Sequence, residues 1–245
     1  MTSPADAASG VRRSPAVRPP RGVGPSWPVV VGLVALVAIP TVASALRVVE
    51  VAGGPQLLPD NPRITASPTP LVVHVISAVF FAVIGALQFP TRLRRGHRAW
   101  HRRAGRVLVG TGLVVAVTGL WMTLFYADAP GGAALWTVRL IVGTATAMFL
   151  VLGFAAIRRG DVHAHRAWMI RAYALTVGAG TQTITEGVSQ SLLGVNDLGK
   201  FLGTTAGWVI NAAVAEWLVR RPARPAGVPG GRTPKHAPTD SELRP

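Results

Sequence analysis

Two segments of the chain, GHRAWHRRAGR at residues 96–106 and HAHRAWMIRAYAL at residues 163–175, share the tetrapeptide HRAW, and each crowds histidine with arginine just ahead of an apolar run. Imidazole exchanges a proton near neutral pH and ligates metals, and arginine offers anions a planar fork of donors. His101 and Arg106 are five residues apart and His165 and Arg171 six, so each histidine precedes a helix whose first turns carry an arginine. Two such entrances side by side, joined by Arg102 and by Gln88 from the preceding apolar block, would make a cationic pocket for an anionic head group, a quinone carbonyl or the propionates of a haem. The same arginines could instead snorkel to lipid phosphates and fix helix ends. That simpler reading covers Arg94, Arg95, Arg98 and Arg158 fully, and His101, Arg106, His165 and Arg171 less well.

A second constellation, His74, Arg139 and Glu186, lies near the opposite ends of the apolar blocks. Ionisable groups at such depth are costly and tend to be paired or functional. Glu186 is expected to pair with Arg139, with His74 hydrogen-bonded beside them, either as a structural tie or as a group that passes protons. No metal site is expected. His97 and His101 at i, i+4 and Asp161, His163 and His165 as D-x-H-x-H have ligand spacing, but the surrounding arginines oppose a dication and only one carboxylate is at hand. A b-type haem needs two histidines on different helices at one depth. His101 and His165 are the candidates, though both sit at the interface, and His74 has no histidine partner at its level. No G-x-S-x-G, P-loop, H-E-x-x-H or G-x-G-x-x-G motif is present, so the corresponding hydrolase, nucleotide, zinc-protease and dinucleotide chemistries lack support.

The elements that must position these residues are set by composition. Hydrophobic residues make up 49% of the 245 and charged residues only 14%, against about 25% charged in soluble domains. The mean hydropathy is +0.39, and the apolar residues gather in blocks of about 20, the length that crosses a bilayer. The fold class expected is an all-α polytopic membrane bundle of six spans, at about residues 27–46, 70–89, 107–127, 136–157, 168–189 and 198–219. Pro40 should kink the first span. Basic residues, an apolar core and Ala43-Ser44-Ala45 also fit a cleavable signal peptide, but the apolar run is long for one. The fifth span carries Arg171, Gln182 and Glu186 among several threonines and should face protein, not lipid.

The formal net charge of +15 would suggest nucleic acid in a soluble chain, but its distribution argues otherwise. Four arginines precede the first block, seven lie between residues 92 and 106, four between 158 and 171, and six cations follow Trp217, leaving Arg47, Arg63, Arg139 and Lys200 on the alternate side with Glu50, Asp60, Asp128 and Asp197. Such asymmetry follows the positive-inside rule and predicts both termini in the cytoplasm of a plasma-membrane protein, with lipid rather than nucleic acid as its partner. Residues 1–26 and 222–245, rich in proline, glycine and charge, are expected to be disordered tails flanking a transmembrane domain at 27–219. The chain has no cysteine, so thiolate chemistry is excluded.

LVVHVISAVFFAVIGALQFPTRLRRGHRAWHRRAGRVLV and IRRGDVHAHRAWMIRAYAL resemble the signatures of domain-of-unknown-function family 2306, a bacterial multi-pass membrane family. The matching positions are His74, Gly85, Gln88, Phe89, His101, Arg102, Gly105, Arg106, Arg158, Gly160, Asp161, His165, Trp168, Met169, Ile170 and Arg171, and the resemblance covers about residues 70–190. It implies a multi-span helical membrane protein with no established activity, and it selects His101 and His165 over His97 and His163. The resemblance also implies an arginine late in the fifth span, where this chain departs from the pattern and reads GAGTQTITEG with Gln182 and Glu186.

Overall fold

A computed structural model describes residues 27–221, apart from the side chains of Thr91 and Arg92, and every regular element among them is helical. The expected terminal tails lie outside the described residues. The elements are α1 (Trp27–Val51), α2 (Pro62–Ala66), α3 (Thr69–Ala86), α4 (Thr91–Gly96), α5 (Arg98–Phe125), α6 (Gly132–Arg158), α7 (Val162–Thr176), α8 (Gly178–Leu193) and α9 (Asp197–Arg220). Among them α1, α3, α5 and α6 are long and apolar enough to cross a membrane. Apolar side chains such as Ile39, Val117, Ile141 and Val209 stand exposed around the outside, a surface that acyl chains cover and water would not.

α1 runs as one helix through Pro40, because loss of one donor leaves the rest of the ladder intact in a helix flanked by others. Two features differ from the expectation. α5 begins at Arg98, well before its apolar stretch, so the basic HRAW segment forms its first two turns. The fifth block is not one helix: α7 ends at Thr176 and α8 starts at Gly178, with Val177 between them at φ −81°, ψ 7°.

Chain order sets most of the packing. α3 lies against α5, α5 against α6, α6 against α7 and α8 against α9, while α1 touches α3 and α8, and α9 returns to α6 and α7. The core gathers around Tyr173, whose ring stacks on Phe81 and meets Phe89 edge-on and whose hydroxyl donates to the Ala82 carbonyl at 2.8 Å. Gly85 makes room for that ring, since a Cβ there would lie 2.6 Å from it. At the turn into α7, Asp161 accepts from the Ala164 amide at 2.8 Å, the capping bond expected of an aspartate before a helix.

The tightest approach is between α8 and α9. Gly199, Gly203 and Gly207 recur every fourth residue and so line one face of α9; a Cβ at Gly203 would fall 2.6 Å from the Glu186 Cα and one at Gly207 3.0 Å from the Gln182 Cα. Small residues at this spacing let backbones meet and polar side chains reach across. Thr185 accordingly donates to the Gly203 carbonyl at 2.6 Å, Gln182 to the Thr204 carbonyl at 3.2 Å and Thr181 to Asn211 Oδ1 at 2.8 Å, while Asn211 donates to the Ala174 carbonyl at 2.9 Å. The polar residues of the fifth block thus serve helix pairing. Gly203→Leu should lower the melting temperature in detergent by several degrees, overpacking costing about 1–3 kcal/mol. Gly187→Ala, whose added methyl meets nothing within 4 Å, should leave it unchanged; differential scanning fluorimetry compares the two.

Candidate functional site

At the level of His74 and Arg139 the helices part around a cavity of about 560 Å³, inside the range that holds small-molecule ligands. Its walls come from α3, α5, α6, α8 and α9, and Asn61, Arg63 and Ile64 at the start of α2 border it from above. α2 is held there by Tyr126, whose hydroxyl donates to the Ser67 carbonyl at 2.5 Å, and by Arg63, which reaches the Asp128 carbonyl at 3.4 Å. Leu71, Val115, Met122, Leu175 and Trp208 give the body of the cavity an apolar lining. The charged residues lining it are Arg63, Arg139 and Lys200, with no carboxylate. Leu175, Thr176 and Ala179 also line it, so the break between α7 and α8 opens onto this space.

His74 and Arg139 therefore share a wall, as their depths require: five and seven residues into their helices, they stand about 8 and 10 Å from the helix starts. The expected Arg139–Glu186 pair does not form. Glu186 instead takes Lys200 Nζ on one carboxylate oxygen and the Thr204 hydroxyl, at 2.5 Å, on the other. The glycine face of α9 explains this, since it brings Lys200 and Thr204 onto the Glu186 side of α8. Arg139 stays within electrostatic reach of Glu186 and makes no hydrogen bond or ion pair among the described residues. His74 bonds Thr118 Oγ1 through Nδ1 at 2.9 Å, also without Glu186.

The other expected constellation, which we call the inner level because its basic connections are expected in the cytoplasm, is partly assembled. Phe81 packs where a Gly112 side chain would stand, and Tyr173 bonds Ala82, which sets the register of α3 against α5 and α7. His101 on α5 and His165 on α7 come near one another, His165 lying within electrostatic reach of His101. His165 Nδ1 donates to the Gly153 carbonyl at 2.8 Å, whereas His101 Nδ1 is buried without a hydrogen-bond partner among the described residues. Gln88 is likewise buried with neither amide atom bonded to a described residue, about one turn nearer the middle of the bundle.

The arginines expected to complete this pocket do not. Arg171 is committed to Glu216 through Nε at 2.5 Å and Nη2 at 3.1 Å, with Trp168 beneath its guanidinium at 4.9 Å. Arg102 and Arg106 are exposed on the outside of α5. Among the described residues no group of three metal-ligating side chains converges.

Sequence reasoning did not place Arg63 or Lys200 in a site. Both were legible as cations on the less basic side of the chain, but nothing local marks a shared cavity. A family described as predicted membrane proteins, DUF2306, matches residues 71–219. The chain belongs to this family. No curated protein and no solved structure matches it. The DUF2306 segment holds the whole inner level and, of the three cavity cations, Arg139 and Lys200; Arg63 and α1 precede it.

An unpaired buried amide costs about 1–3 kcal/mol, which an apolar residue of similar shape does not incur. Gln88→Met should therefore raise the melting temperature of the purified protein. A fall would mean that the amide has a partner in the folded state.

Proposed function

We propose that this protein spans the bilayer six times, with α7 and α8 together forming the fifth crossing, and binds an anionic amphiphile in the cavity at the level of His74 and Arg139. The observation that carries this reading is an apolar cavity body lined by Arg139, unpaired among the described residues, and by Arg63, with no lining carboxylate; the third lining cation, Lys200, is already paired with Glu186. A cation whose own side chain lacks a partner, as Arg139 does, retains its full capacity for a charge-assisted bond. The inner level supports binding less well, because its best-placed guanidinium is already held by Glu216.

Topology supports the same side for the ligand. The basic connections between α3 and α5 and between α6 and α7 belong in the cytoplasm under the positive-inside rule, which puts the cavity and α2 on the outer face. The chain has no native cysteine, so single variants report cleanly. His97→Cys and His163→Cys should react with a membrane-impermeant maleimide only after the cells are opened, and Gln56→Cys should react in intact cells. Labelling of either histidine position in intact cells would overturn the arrangement.

Binding is tested by titrating a dansyl-labelled undecanoic acid into protein held in a neutral detergent. Saturable fluorescence enhancement is expected, with competition by decanoate and none by decanol. Arg139→Gln should weaken the probe about tenfold to a hundredfold, the range for losing one charge-assisted hydrogen bond. Equal affinity of the variant, or equal competition by the alcohol, would remove the anionic reading.

A further inference from the structure

The neutral polar groups of the cavity wall have an asymmetry that the cations conceal. Thr123, Thr146 and Thr176 line the cavity, and each hydroxyl donates to a carbonyl of its own helix, at Gly119, Val142 and Ala172, over 2.8, 2.8 and 2.9 Å. A hydroxyl has one proton, so toward a ligand these three can only accept. Tyr126 has likewise given its proton to Ser67, and the Gln182 amide nitrogen donates to the Thr204 carbonyl, with the side-chain carbonyl left as an acceptor.

His74 follows the same rule through one more step. Thr118 Oγ1 lies 2.6 Å from the Val114 carbonyl and 3.2 Å from that of Val115, both acceptors. Its proton is therefore committed to the backbone, and the 2.9 Å contact with His74 Nδ1 requires that the imidazole carry its proton on Nδ1. In the neutral ring Nε2 is then a bare lone pair on a residue that lines the cavity. Trp208, Asn61 and the second amide N–H of Gln182 keep donors, but otherwise the donors of the wall are its cations.

From this division of donors and acceptors, and resting on the proposed cavity, we infer that the ligand is a hydroxylated anion: a phosphate or carboxylate that meets Arg139, Arg63 and Lys200 and bears an alcohol that donates to His74 Nε2. A ligand with an anionic group alone would leave the acceptor wall unpaired, and an ammonium donor would be repelled by Arg139 and Arg63, whose charges no lining carboxylate offsets. The same chemistry occurs on a lipid head group and on a free hydroxylated phosphate.

The test uses displacement of the dansyl-undecanoic acid probe at pH 8, above the ordinary imidazole value. Dioleoyl-phosphatidylglycerol and dioleoyl-phosphatidylethanol carry the same phosphodiester charge and differ in the head-group hydroxyls. The full-length protein should prefer the glycerol lipid about threefold to tenfold, the worth of one neutral hydrogen bond. His74→Asn, whose amide nitrogen can keep the bond to Thr118 while removing the second acceptor, should reduce that preference. His74→Gln, which places an amide oxygen near the position of Nε2, should retain more of it. Glycerol 1-phosphate against ethyl phosphate separates the sources, and a preference in either the lipid or the soluble pair supports the inference. Equal displacement by both members of both pairs, or a preference unchanged in His74→Asn, overturns it while leaving an anionic cavity. Failure of the probe itself to bind overturns the cavity reading instead.

Discussion

The close approach of α9 to α8 governs the half of this molecule that holds the cavity. With no side chain at Gly203 or Gly207, the α9 backbone reaches the Cα atoms of Glu186 and Gln182. That contact allows Thr185, Gln182 and Thr181 to bond across the pair. It also turns Glu186 toward Lys200 and Thr204. Arg139, on the neighbouring α6, is left without a carboxylate, and so the cavity in front of it is cationic. A packing decision between two helices thereby sets the electrostatics of a space bordered by several others.

The interruption at Val177 belongs to the same arrangement. α7 follows the packing demands of α3 and α6, through Tyr173 on Ala82 and His165 on Gly153, while α8 follows α9 and, at Gly180, the backbone of Leu36 in α1. A single straight helix would have to satisfy both sets of contacts with one axis. Breaking the helix at Val177, whose N–H still bonds the Tyr173 carbonyl at 3.0 Å and whose carbonyl accepts from Gly180 at 3.1 Å, separates the two sets of contacts beside the cavity that Thr176 and Ala179 line.

At the inner level a different constraint operates. Arg171 and Glu216 form a pair with two hydrogen bonds between α7 and α9, so a residue that looks like part of an anion pocket is a clasp between helices. What is left, Gln88 and His101 Nδ1, is polar, buried and without a bond among the described residues, while Arg102 and Arg106 extend outward in the manner of side chains that snorkel to lipid phosphates.

Length and hydropathy alone made the apolar blocks, their basic borders and the depth of each polar residue legible, because transfer free energy adds along the chain and depth follows from counting residues at 1.5 Å each. The family signature was readable for the same reason, since it is a matter of residue type and spacing. Hence His74 with Arg139, and His101 with His165, could be assigned to common levels before any helix was packed. Which residue at a level pairs with which could not. Each helical position turns by about 100°, so a partner is chosen by the rotation and approach of two helices, and three glycines on α9 gave Glu186 to Lys200 while Glu216 claimed Arg171. Only the tertiary structure could decide this, because contact between helices depends on interaxial distance and angle, quantities that a one-dimensional pattern of hydropathy does not contain.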